Sequence, residues 1–175
     1  MTAPESDEYS PMMGNYINLV INHSNIIALL ESQNMVVFDL FNALNEEQAN
    51  YAYSAGKWTL KQVIGHLIDA ERTFAYRAYA FSRGQAELPG FDENTYVELG
   101  DFNGRTIQDL AAEFKTLRQS NLFFIRVLSD EQLVIVALSN NTLTSVRALV
   151  YVMAGHVEHH LNIVRERYFG AVKGF

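Results

Sequence analysis

Apolar residues recur along this chain at mixed spacings of three and four, without sustained two-residue alternation. Ile17, Val20, Ile21, Ile27, Leu30, Val37, Phe38, Phe41 and Leu44 follow that pattern and predict a first long helix from about Tyr16 to Leu44. Asn45-Glu46-Glu47-Gln48 can cap a short turn, which the Ser54-Ala55-Gly56 segment ends. Thr59-Leu60-Lys61-Gln62 has the form of a capping box and opens a second helix. Val63, Leu67, Ala70, Phe74 and Phe81 mark its core side, and Arg83-Gly84 stops it. A third helix is predicted from Thr106 to Leu128 on Leu110, Phe114, Leu117, Leu122 and Ile125. Ser129-Asp130-Glu131-Gln132 starts another short turn. The last helix is expected from Thr144 to Phe169, with Arg165 and Arg167 near its C-terminus before Gly170.

Four long helices and no strand pattern define an all-α chain, a four-helix bundle. The connection 84–104 holds Gly84, Gly90, Gly100, Gly104 and Pro89 around Phe91, Tyr96 and Phe102. At about twenty residues it is far longer than a usual helix-to-helix loop. Extended, it reaches ~65 Å, against ~37 Å for a 25-residue helix, so it can cross the bundle between helices two and three. The expected order is therefore up-down-down-up. Residues 1–13, polar with two prolines, are expected to form a flexible arm, and 14–175 a single domain.

Composition narrows the function. Thirteen basic against twenty acidic residues give a formal charge of −7, and no basic run is present, which argues against nucleic acid as a partner. Cysteine is absent, which excludes disulfides, thiolate metal sites and cysteine nucleophiles. Neither a signal-peptide pattern nor a membrane-length apolar run is visible, so a cytoplasmic location without membrane contact is expected.

The candidate chemistry lies in Ala154-Gly155-His156-Val157-Glu158-His159-His160. At about 100° per residue, His156 and His160 fall within one arc with Leu149, Val152, Met153, Ile163 and Val164, while His159 lies at its edge and Glu158 opposite. An inward i, i+4 imidazole pair must satisfy its ring nitrogens away from water, and a metal ion does so. A lone pair of this kind is more often structural than metal-binding. A third histidine alters that balance. His23 has only polar neighbours, whereas His66 lies on the second helix between an apolar side (Val63, Ala70, Phe74) and a polar one (Gln62, Asp69, Thr73), and is the better third ligand. HExxH is absent, and no Glu-x-x-His pair supports a dinuclear centre; P-loop, dinucleotide and nucleophile-elbow motifs are also missing. Asp69 could orient a ligand imidazole, though a surface role fits as well. Arg77 could hold an anionic substrate, but a structural ion pair with Glu113 or Asp92 is the preferred expectation, and Trp58 with Tyr53 is expected to pack beneath the start of helix two, the lining of a pocket being the second reading.

Gly56-Lys57-Trp58-Thr59, Gly65-His66-Leu67-Ile68-Asp69-Ala70-Glu71-Arg72, Ala75-Tyr76-Arg77, Leu88-Pro89-Gly90-Phe91-Asp92, and Gly155-His156 through His159-His160 to Arg165-Glu166-Arg167-Tyr168 together resemble the DinB-like superfamily. The resemblance runs from about Tyr16 to Tyr168. It implies an up-down-down-up bundle and one divalent metal ion (Zn, Ni or Fe) held by His66, His156 and His160. It also implies thiol-dependent transferase or isomerase activity with a low-molecular-weight thiol such as bacillithiol, mycothiol or glutathione, or metal-dependent hydrolysis. A small-molecule substrate and a homodimer are the expected partners. The rival from another class is a non-catalytic metal-binding or dimeric interaction module.

Overall fold

Each long helix begins where a side chain takes over an unpaired backbone N–H. The computed structural model describes residues 1–170. Helix α1 spans Pro11–Ile17, α2 Ile26–Asn42, α3 Glu46–Ala49 and α4 Leu60–Ser82. Strand β1 (Glu87–Leu88) and helix α5 (Glu93–Leu99) follow, then α6 (Ile107–Ile125), α7 (Asp130–Leu133), strands β2 (Val136–Ser139) and β3 (Thr142–Ser145), and α8 (Val146–Ile163). Asn25, Thr59, Thr106 and Ser145 cap α2, α4, α6 and α8, each accepting a backbone N–H three residues on. The Thr59 box is complete, with Thr59 N–H donating to Gln62 Oε1 at 2.9 Å and Gln62 N–H to Thr59 Oγ1 at 3.1 Å.

The four-helix bundle is made by α2, α4, α6 and α8. Both α2 and α4 pack on α6 and α8. Gln108, at the start of α6, donates to the Leu44 carbonyl beyond the end of α2 (2.9 Å), while Arg126 after α6 pairs with Glu31 near the start of α2 (2.5 Å). These two helices therefore run antiparallel. Thr59 meets Asn103, Glu71 meets Arg118, and Tyr79 packs on Phe124, so α4 and α6 run in the same direction. Among the described residues no helix is long and apolar enough to cross a membrane.

Three elements differ from the sequence reading. The expected first helix is two, α1 and α2, because Asn22-His23-Ser24-Asn25 offers local side-chain partners to the backbone and Asn25 instead starts a new helix at Ile26. The segment 84–104 is not plain loop; it carries β1, α5 and a 3-10 turn at Phe102–Gly104. A three-stranded sheet, ordered β1-β2-β3, is also present, with β1 parallel and β3 antiparallel to β2. Asn140 and Asn141, at φ 52° and 60°, make the β2–β3 turn, and asparagine is one of the few residues that tolerates the left-handed region twice in succession. Helix α8 consequently begins at Val146 rather than Thr144, and from Val164 to Phe169 the chain continues as a π-helical turn.

The hydrophobic core divides in two. One cluster uses Ala70, Phe74 and Phe81 of α4 with Val146 to Ala154 of α8; the other uses Leu60 to Ile68 of α4 with Val157 and Leu161 of α8. Polar side chains occupy the level between them. Before α1, the backbone is tied to β3 and α8 through Glu8, whose carbonyl accepts from Ser145 N–H (2.9 Å) and whose carboxylate binds Arg147 and Ser145 Oγ.

Candidate metal centre

The polar level between the two clusters is where His66, His156 and His160 converge. They are 3%, 5% and 9% exposed, and each ring centroid lies 4.6–4.8 Å from the other two. The Nε2 atoms of His66 and His156 are 3.0 Å apart, and one ligand nitrogen from each of the three rings lies within 4.8 Å of the others. Nitrogens bound at ~2.0–2.1 Å to one ion are ~2.9–3.3 Å from each other, so the His66–His156 spacing of 3.0 Å fits one edge of a single coordination shell. The nitrogen-only donor set suits a borderline transition metal.

Burial holds all three imidazoles neutral. It lowers the His66 pKa to about 4 and that of His160 to about 3, with further lowering by neighbouring imidazoles. His156 is pushed well below its usual value by burial, then by His160, His66 and His159, and by the Arg118 guanidinium. Neutral imidazoles present lone pairs without competition from protons at pH 7, as a ligand set requires.

The surrounding side chains correct several expectations. Asp69 does not reach His66. Its carboxylate lies 3.8 Å from Arg72, and burial raises its pKa. The Nδ1 atom of His66 has no hydrogen-bond partner among the described residues. Trp58 does more than pack beneath α4, for its ring lies 4.9 Å from that of His66 while Tyr168 Oη donates to the Trp58 carbonyl at 2.7 Å. Arg77 pairs with neither Glu113 nor Asp92. Glu113 binds Arg72 and Arg105, and Arg77 Nη2 donates to the Pro89 carbonyl at 2.7 Å. His159, half-buried, packs edge-on against Tyr16 at 5.3 Å, and His23 is exposed away from the centre.

Two cavities reach the triad. The first, about 140 Å³, meets His66 and His156 and is walled in part by Tyr16, Phe74 and Arg77. The second, about 260 Å³, meets His160 beside Tyr53, Trp58 and Tyr168. Tyr16 packs edge-on against His156 (5.3 Å), and its hydroxyl pKa is raised by burial and then by Glu93. Sequence reasoning assigned no role to Tyr16, because α1 looked like the start of a longer helix. Ser139 was equally invisible, since only the hairpin brings it to the first cavity.

Fold and site together describe a four-helix bundle with a buried three-histidine centre. A family model for the DinB superfamily matches residues 29–164, and the chain belongs to that superfamily. Two proteins of Oceanobacillus iheyensis, each named "Putative metal-dependent hydrolase", are similar in sequence. OB0782 is 31% identical over 91 residues, 51% of this chain, and OB0413 is 28% identical over 126 residues, 69% of this chain and 70% of its own length. The match spans about half of OB0782, 52% of its length. In structure, the chain resembles a Bacillus subtilis protein described as "YfiT from Bacillus subtilis is a probable metal-dependent hydrolase with an unusual four-helix bundle topology". The TM-score is 0.75 at 18% identity, covering 97% of this chain and 94% of that one, a likeness of fold.

Proposed function

We propose that this protein is a mononuclear divalent-metal-dependent enzyme acting on a small molecule, with His66, His156 and His160 as the ligands. The observation that carries the reading is the convergence of three buried imidazoles on one point that two cavities reach. A divalent ion held by these three imidazoles would supply Lewis acidity and would acidify a water or thiol brought to it. The chain's own residues do the rest. The apolar clusters above and below exclude bulk water, Trp58 and Tyr16 flank the His66 and His156 rings, and Tyr16 stays protonated as a hydrogen-bond donor at the first cavity. Hydrolysis is the first reading, in keeping with the names of the related proteins.

Transfer of a low-molecular-weight thiol is the second reading. The cavity beside His160 favours it, because a two-substrate reaction needs a second approach to the same centre. The deciding experiment is elemental analysis of protein purified without a histidine tag. About one equivalent of Zn, Ni or Fe is expected, falling below ~0.2 in His160→Ala, as loss of one of three ligands implies. A wild-type content as low as the variant's overturns the metal site. With metal present, an ester and amide panel is assayed with and without glutathione and chlorodinitrobenzene. Turnover without thiol supports hydrolysis, thiol-dependent turnover supports transfer, and no turnover in either favours a metal-binding module.

A further inference from the structure

We propose that Arg77 and Ser139 form a carboxylate-binding subsite in the cavity beside His66 and His156, so that the substrate is a small molecule bearing a carboxylate. The inference rests on the reading of the triad as a reaction centre, and names the substrate class of that site.

Arg77 is only 4% exposed, yet no carboxylate pairs with it among the described residues. The other buried arginine, Arg118, is bound by both oxygens of Glu71 at 2.8 Å. A buried guanidinium is costly unless an anion and hydrogen bonds compensate it. Arg77 has one bond to the Pro89 carbonyl and an aromatic neighbour, Phe91, whose ring centroid lies 5.8 Å from its guanidinium carbon. No other hydrogen bond of its donor fork is present among the described residues, and Arg77 lines the cavity.

Ser139 supplies an independent observation. It is fully buried, lines the same cavity, and its Oγ has no hydrogen-bond partner among the described residues. The sheet brings the two together, for Ser139 is in register with Leu88, and Pro89, next along the chain, holds Arg77. A planar two-donor fork with a nearby hydroxyl matches a carboxylate. Glu93 also borders this cavity, and its charge counts about twice as heavily against a dianion such as phosphate as against a single carboxylate. The remaining wall includes Phe74, Phe91 and Val152, and the volume of about 140 Å³ suits a small organic acid.

The test is ligand-observed NMR titration with formate, acetate and benzoate, and with uncharged benzamide as the control. Protein is used both as purified and after treatment with a chelator. Saturable binding of at least one carboxylate to both forms is expected, without competition from benzamide. Arg77→Met should weaken that binding about tenfold or more and Ser139→Ala about threefold. Should Arg77→Met fail to fold, Arg77→Lys, which keeps the charge and loses the fork, should still bind about threefold or more weakly than wild type. The proposal is overturned if none of the three carboxylates binds either form, or if binding is unchanged in the folded Arg77 and Ser139 variants. Arg77-dependent binding by protein that holds no metal even as purified upholds the subsite while the metal reading falls.

Discussion

Glu71 and Arg118 are sealed inside the bundle at the level of the triad, with side chains 2% and 0% exposed. Asn121 donates to Glu71 Oε1 at 2.9 Å, and Arg118 also reaches the Met153 carbonyl, so the pair joins α4, α6 and α8. Removing one partner strands a charge away from water. Glu71→Ala should therefore cost about 3–5 kcal/mol in urea unfolding, whereas Glu71→Leu combined with Arg118→Met should cost much less. An equal loss in both proteins would refute the argument. Nothing in the sequence couples these residues, because they are 47 positions apart and only packing makes them neighbours. The same holds for Arg77. Its helical position was readable, but its partner was not, and the expected ion pair with Glu113 or Asp92 gives way to the Pro89 carbonyl.

At the scale of elements, two glycines govern how closely the segments around the centre approach. A Cβ on Gly155 would lie 2.1 Å from the Tyr16 carbonyl oxygen, so α8 can lie against α1 only because position 155 has no side chain. A Cβ on Gly65 would lie 2.2 Å from Cγ of the buried Phe102 ring, where a side chain rather than backbone must shift. Gly155→Ala should thus destabilise at or above the upper end of the ~1–3 kcal/mol usual for overpacking, and Gly65→Ala less. Chemical denaturation of the two variants checks the order, which a larger loss in Gly65→Ala would reverse. Helices α4 and α6 were legible because each pairs a strong N-cap with an uninterrupted apolar stripe. The four-residue strands of the hairpin were not, because Val136 to Ser145 is too short for alternation to stand out beside helical segments.

For the molecule as a whole, keeping three imidazoles neutral inside the core makes stability depend on pH. Their folded pKa values lie below the unfolded value of ~6.5, so the unfolded chain binds more protons as pH falls. Stability of the metal-free protein is then greatest above pH ~6.5 and falls through the window down to about 4 for His66 and about 3 for His160. Carboxylates with lowered pKa values, such as Glu8 and Glu113, act only below their ordinary value of 4.5. Asp69, whose pKa burial raises, adds stability as pH falls, so a drop in stability from pH ~6.5 to ~5 belongs to the histidines. Urea midpoints of chelator-treated protein should drop across it, and drop less in His156→Leu. Equal midpoints at both ends of the interval in wild type would refute the linkage. A bound metal raises stability at neutral pH by mass action, since the unfolded chain lacks the assembled site.

The order of apolar and polar residues alone determined the bundle class, the cap at Thr59, the start of the third helix near Thr106, and the inward face of His156 and His160, because helical periodicity is local and survives in one dimension. His66 could be chosen over His23 from its half-apolar helical surroundings, again a local property. Tertiary structure alone decided that His66 and His156 bring their Nε2 atoms to 3.0 Å, that Trp58 and Tyr16 flank them, and that Arg77 and Ser139 share one cavity. Those relations join segments far apart in the chain, and their distances follow from how helices and hairpin pack rather than from any residue's immediate neighbours.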